Sequence, residues 1–223
     1  MVLTEVGTYR RALGGSLERL LENTLDWEHL PWLHSSSFSS IECLDAGRWG
    51  WRATVGSIAT KSDVGLELLL DADRSTWVSR TTDGLGVVTE IWTTAVATGS
   101  RSCEETVTFH APNVRTETAA KLGRAYATLY QRLYDEDESM MIGRQAALDA
   151  RLDVPVRVVD VDGEQYAFKA RCPHLMGPLD DAPVVDGVVQ CPWHGYRFDV
   201  RTGINLDGHP CRLAVVPAPA PLG

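Results

Sequence analysis

Residues 172–199 read CPHLMGPLDDAPVVDGVVQCPWHGYRFD. Cys172-x-His174 is followed by sixteen residues and then by Cys191-x-x-His194, so two short loops each present one thiolate and one imidazole. Thiolate sulfur suits iron–sulfur chemistry or zinc. Zinc fingers place both cysteines in one pair and both histidines in the other. Here each loop carries one of each, which fits a two-iron, two-sulfide centre in which two histidines replace two cysteines on one iron. The other cysteines, Cys43, Cys103 and Cys211, read as small buried hydrophobes. Five is an odd count and argues against a disulfide framework. His110 and His209 have no partner in the sequence.

This pattern resembles the Rieske family over most of residues 151–216. Gly177, Pro178 and Leu179 after the first pair and CPWHG at the second carry the resemblance further. It implies a [2Fe-2S] cluster held by Cys172, His174, Cys191 and His194. In the high-potential members a serine follows the second HG and a tyrosine stands two residues later. Here those positions hold Tyr196 and Phe198, so hydroxyl donors to the cluster sulfurs are lost. The expected potential is low, about -150 mV, which suits a donor to oxygen chemistry rather than a quinol oxidant.

Upstream of the motif, VRVVDVDGEQYAFKA reads as a hairpin turning at Asp162-Gly163. The composition changes near residues 151–154, which places a boundary between a segment 1–150 of net charge -7 and a segment 151–223 of net charge -2. Residues 114–150 carry a helical stripe of Leu122, Tyr126, Leu129, Leu133 and Met140. Between 38 and 110 the period is two, with turns at DAGRWG, DADRS, TTDGLG (81–86) and TGSRS, giving an antiparallel meander of five or six strands. Residues 8–30 read as a helix that Pro31 breaks. The expected fold class is α+β: an antiparallel sheet wrapped around a long C-terminal helix with a cavity between them, followed by a small all-β domain. Trp49, Trp51, Trp77 and Trp92 are candidates for the cavity wall, but alternation does not say which face each occupies.

The segment LLENTLDWEHLPWLHSSSF places Glu22, Asp26 and His29 on one helical face and His34 beyond Pro31, where a break lets the second imidazole swing toward the first. Two neutral imidazoles suit ferrous iron but need a carboxylate to complete a facial triad. Trp27 and Trp32 read as core or pocket wall. The spacing Glu-x3-Asp-x2-His-x4-His is similar to the mononuclear-iron motif of Rieske non-haem oxygenases, the terminal components of ring-hydroxylating systems. The resemblance implies a third ligand, an aspartate on the long helix. Asp135, Glu136, Asp137 and Glu138 compete for that role. Asp137, about 40° round from Leu133 and close to Met140, is the one set on the apolar face. A carboxylate there is costly unless paired or metal-bound.

The resemblance also implies that Asp26 links His29 to His174 or His194 of a neighbouring subunit, hence a ring-shaped homo-oligomer, a trimer. Residues 1–150 would be a helix-grip domain like the START and polyketide-cyclase superfamily, holding Fe(II) on His29, His34 and Asp137. This chain departs from the family pattern in being shorter and in placing the Rieske segment second. The function expected is O2-dependent hydroxylation, dihydroxylation or demethylation of a small apolar or aromatic molecule. The alternative is a Rieske electron carrier with a ligand-binding domain that holds no iron.

Composition sets outer limits. The chain has 223 residues and a net charge of -9, with 18 arginines, three lysines and no basic cluster, which argues against a nucleic-acid partner. No apolar run approaches the roughly 20 residues of a membrane span, and no secretory signal is visible, so a cytoplasmic location is expected. No Gly-rich dinucleotide fingerprint occurs. Electrons would therefore come from a separate NAD(P)H-dependent reductase or a ferredoxin.

Overall fold

Leu3–Leu13 (β1) begins an α+β architecture, and its alternating Tyr9, Arg11 and Leu13 face inward. The computed structural model describes residues 2–82, 87–150 and 153–218. The predicted turn at 81–86 therefore falls largely outside the described residues, as do boundary residues 151 and 152 and the end of the Pro/Ala tail, 219–223.

Helix was expected from residue 8, yet β1 pairs along its length with the last strand of the sheet. Leu13 fits both a helical and an alternating pattern, and Gly14-Gly15 ends the run before the helix starts. The helix proper is Leu17–Leu25 (α1), capped by the Ser16 hydroxyl, which accepts from the Arg19 amide at 3.3 Å. It ends at Asp26, not at Pro31. A 3₁₀ turn, Trp27–His29, follows, and Pro31 sits in the first turn of Leu30–Leu33 (α2), where its missing N–H costs nothing.

Six strands then form a meander: Phe38–Gly47 (β2), Gly50–Ser57 (β3), Ser62–Leu70 (β4), Thr76–Thr82 (β5), Val87–Gly99 (β6) and Ser102–Pro112 (β7). With β1 added beside β7 the sheet has seven antiparallel strands in the order β1-β7-β6-β5-β4-β3-β2. Thr116–Asp149 (α3) packs its first two-thirds on this sheet. Phe109 of β7 stacks on Tyr126 at 5.2 Å, and Tyr9 of β1 on Tyr134 at 6.4 Å. Gly7 and Gly123 let strand and helix backbones touch, since a Cβ on Gly123 would collide with the Val6 carbonyl. Arg11 ties β1 to α3 through Asp135 and Glu138. Burying each large side chain in such a core contributes roughly 1.5–3 kcal/mol. This is the helix-grip arrangement expected from the sequence.

Packing divides the chain into Met1–Met141 and Ile142–Gly223, within α3 rather than at 151–154. The last turns of the helix belong to the second unit because a Cβ at Gly143 would already lie 3.2 Å from the Trp193 ring. The second unit contains two three-stranded antiparallel sheets. One orders Val215–Val216 (β13), Glu164–Lys169 (β9) and Val156–Val161 (β8); the other orders Val184–Val185 (β10), Val188–Gln190 (β11) and Arg197–Asp199 (β12). Asp162 and Gly163 turn the β8–β9 hairpin with φ of 57° and 85°, as an Asp-Gly pair should. None of the described helices is long and apolar enough to cross a membrane.

Candidate metal centres

In the second unit two loops repeat one backbone design. The Cys172 amide donates to the Gly177 carbonyl, and the Met176 amide to the Cys172 carbonyl. The Cys191 amide donates to the Tyr196 carbonyl, and the Gly195 amide to the Cys191 carbonyl. Met176 and Gly195 occupy the same place in each loop, both with positive φ (61° and 69°). Each loop thus curls over its own cysteine and aims the sulfur inward. The loops face each other: the His174 and His194 rings lie 4.6 Å apart edge-on, and Cys172 and Cys191 are buried. The neighbouring Cys172 thiol holds the Cys191 thiol well below its usual range. Gly177 closes the gap, for a Cβ there would sit 2.8 Å from the Cys191 sulfur. Two thiols and two imidazoles on paired loops suit a two-iron cluster with mixed ligands.

In the first unit His29, His34 and Asp137 bring one ligand atom each to within 4.8 Å of one another, all three buried. The break at Asp26 and the short α2 supply the two histidines; α3 supplies the aspartate. Asp137 Oδ1 lies 3.1 Å from His34 Nε2 and 3.6 Å from His29 Nε2. Each imidazole turns its other nitrogen to a second carboxylate. His34 Nδ1–H donates to Glu136 at 2.6 Å, and His29 Nδ1 lies 3.7 Å from Asp26. This fixes Nε2 as the free lone pair on His34. Burial opposes charge on His34, but Asp137 and Glu136 outweigh it and raise its pKa. Asp137 Oδ1 and His29 Nδ1 are buried without a hydrogen-bond partner among the described residues, which a cation between the three ligand atoms would remedy in part.

The three side chains line a cavity of about 420 Å³ between sheet and helix. Its wall is mainly apolar, with Trp51, Trp77, Leu68 and Tyr130 prominent. Of the tryptophans weighed for this wall, Trp51 and Trp77 reach it, whereas Trp92 is on the outer face and Trp32, expected to be core or pocket wall, is 44% exposed. Trp27 packs against the core.

Residues 135–217 match the Rieske [2Fe-2S] domain family. The chain carries a Rieske domain. Its domain order is reversed from the family pattern named above, since the Rieske domain is second. The chain is 42% identical over 55 residues to apoptosis-inducing factor 3 of Mus musculus, covering 25% of this chain and 9% of that protein. It is 43% identical over 49 residues to the oxygenase component of dicamba O-demethylase from Stenotrophomonas maltophilia (22% and 14%) and 39% identical over 64 residues to the ferredoxin subunit of biphenyl dioxygenase from Pseudomonas sp. strain KKS102 (28% and 59%). The chain thus spans less than two-thirds of each of these relatives. Among solved structures it is similar to the KanY protein (TM-score 0.49, 18% identity, 64% of this chain and 100% of that one) and to a START superfamily protein from Mycobacterium smegmatis (TM-score 0.46, 14% identity, 60% and 94%).

Beside the Rieske loops the sequence left His209 unread. His209 packs on His174 at 5.4 Å and on Tyr196 at 4.8 Å, with its Nδ1 accepting from the Cys211 amide. Cys211 is half-buried, as is Cys43, so of the three cysteines read as core only Cys103 is fully enclosed. Glu136 was set aside in favour of Asp137, but it contacts His34. The i to i+1 step on α3 puts it on the flank of the same site, a signal that was present in the DEDE run.

Proposed function

We propose that the chain is a Rieske-type terminal oxygenase acting on a small, mainly apolar or aromatic molecule. The observation that carries this reading is the convergence of His29, His34 and Asp137 on the wall of a mainly apolar cavity in a chain that also has a Rieske domain. Cys172, Cys191, His174 and His194 hold the [2Fe-2S] cluster, and His29, His34 and Asp137 hold ferrous iron. Bound there, the iron supplies open positions for O2 beside the substrate. The protein does the rest. Glu136 orients the His34 imidazole, Asp26 lies beside that of His29, and Trp51 and Trp77 present flat apolar surface to the substrate. Electrons come singly through the cluster from a separate reductase or ferredoxin. Asp26 relays them between a cluster histidine of one subunit and His29 of the next, in a trimer.

Iron content tests the proposal directly. Anaerobically purified protein should hold about three irons per chain, two with a Rieske EPR signal and one high-spin ferrous. His29→Ala should lose the third iron and turnover while the cluster spectrum stays; turnover retained in that variant rejects the assignment. A second reading, an electron carrier whose first unit binds a ligand without iron, draws on the ferredoxin-subunit similarity and predicts two irons per chain.

A further inference from the structure

The cavity of the first unit has a hydroxyl-bearing end that the proposed chemistry has not used. Helix α3 gives the scale along it. Tyr126 stacks on Phe109 at 5.2 Å and Tyr134 on Tyr9 at 6.4 Å. In the sheet register Phe109 faces Ile91 of β6, and Tyr9 lies across Val107 from Thr93. Helix α3 and strand β6 therefore advance in the same direction, and Asp137 comes after the Tyr134 level. Tyr126 stands roughly three turns before Asp137, or about 16 Å along the helix. Thr89 precedes Ile91 on β6, so it falls at the Tyr126 end, and Thr81 of β5 is its direct partner. Thr81, Thr89 and Tyr126 thus come from three elements, meet at one level, and all line the cavity. The row of the sheet nearer Asp137 carries Trp51, Leu68, Ser79 and Ile91, and the row after that carries Trp77 and Thr93.

Charge narrows what this end can hold. Among the described residues the cavity wall contains no lysine or arginine, and Asp137 is its single carboxylate. A carboxylate or phosphate bound beside Thr81, Thr89 and Tyr126 would lose its hydration with no counter-ion to replace it. A hydroxyl or carbonyl group would not, because threonine and tyrosine hydroxyls can each donate and accept. We infer that the substrate is a neutral molecule with an apolar body and a hydroxyl or carbonyl group, and that Thr81, Thr89 and Tyr126 bind that group at the end of the cavity remote from His29, His34 and Asp137. The inference deepens the oxygenase reading and rests on it for which end of the substrate reacts. In this pose the apolar body lies along Trp51 and Trp77, and the end without the polar group faces the three proposed iron ligands. A separation of about 16 Å, shortened by the reach of the side chains, takes two linked rings. A single ring held at the hydroxyls would stop short of the ligands.

Para-phenylphenol, biphenyl and para-phenylbenzoate share one two-ring body and differ only in the end group, so they serve as probes. Their affinities are measured by equilibrium dialysis against reduced, oxygen-free holoprotein, where no turnover occurs. Para-phenylphenol should bind about 10-fold tighter than biphenyl, as one or two hydrogen bonds allow, and about 100-fold tighter than para-phenylbenzoate. Thr89→Val and Tyr126→Phe each remove a hydroxyl and keep the shape. Each should bring para-phenylphenol toward the affinity of biphenyl while biphenyl itself binds as before; a merely structural role would shift both ligands. Proton NMR of bound para-phenylphenol reads the pose: ferrous iron should broaden the unsubstituted ring more than the phenol ring. If one variant does not fold, the other and the wild-type ranking of the three probes decide. The inference is overturned by no binding of para-phenylphenol, by para-phenylbenzoate binding as tightly, by a phenol preference that survives both variants, or by stronger broadening of the phenol ring, while three irons per chain keep the oxygenase reading. Two irons per chain overturn the oxygenase reading, and the three affinities then decide the hydroxyl site on their own.

Discussion

At the scale of single residues, carboxylates decide what the buried histidines do. Glu136 holds the His34 Nδ1 proton at 2.6 Å and so presents Nε2 inward. Removing such an outer partner typically costs 10–100-fold in metal affinity; Glu136→Gln should weaken ferrous binding by about that factor, measured by competition with a chelator, with the cluster left intact. Gly177 has an equally local role. Alanine there would press on the Cys191 sulfur at 2.8 Å, and Gly177→Ala should lose cluster absorbance while the first unit keeps its fold. Phe198 is fully buried where the high-potential relatives of the resemblance carry a tyrosine. One hydrogen bond of about 1.4 kcal/mol to the cluster corresponds to about 60 mV for a one-electron couple, so Phe198→Tyr should raise the midpoint from about -150 mV by that amount in a potentiometric titration. Glu105 adds a pH dependence to stability. Its folded pKa, about 8, lies above the ordinary carboxyl range, so its contribution is complete below that range and is lost as pH rises through about 8. Wild-type protein should lose stability between about pH 4.5 and 8 and level off above that, read as the urea midpoint, and Glu105→Gln should lose much less.

At the scale of elements, the break after α1 builds half of the proposed iron site. A continuous helix would hold His29 and His34 about 140° apart; the 3₁₀ turn and the four-residue α2 bring their rings to 5.0 Å. The sequence signalled the break through Pro31 but misplaced it, because proline is as comfortable starting a helix as ending one. The strand at residues 3–13 was hidden for a related reason. Tyr9, Arg11 and Leu13 alternate, but the run is short and its partner strand lies about a hundred residues away. The contact of α3 with β1 depends on paired glycines, so Gly123→Ala should destabilise the first unit by about 1–3 kcal/mol through overpacking, measured by chemical denaturation.

At the scale of the whole molecule, the two units differ in what sustains them. The first has a continuous apolar core; the second is loop-rich, with two small sheets and the facing loops of Cys172, His174, Cys191 and His194. Metal ligation in such a unit is coupled to folding. Removing iron by chelation under reducing conditions should therefore lower the melting transition of the second unit and leave a separate transition for the first, seen by calorimetry.

The sequence alone determined the chemical types and spacings. Two Cys/His loops, a histidine pair beside an acidic helix, and the switch from a period of two to a helical period all depend on neighbours within a few residues, so they could be read directly. Asp137 was legible because its helical angle set it on the apolar face. Tertiary structure decided the pairings: Glu136 with His34 across 102 residues, Asp26 beside His29, His209 against His174, and Glu105 fully buried opposite Arg11 of β1. The physical reason is that long-range partners are chosen by packing of whole elements, and a hydrogen bond of about 1 kcal/mol follows that choice rather than directing it.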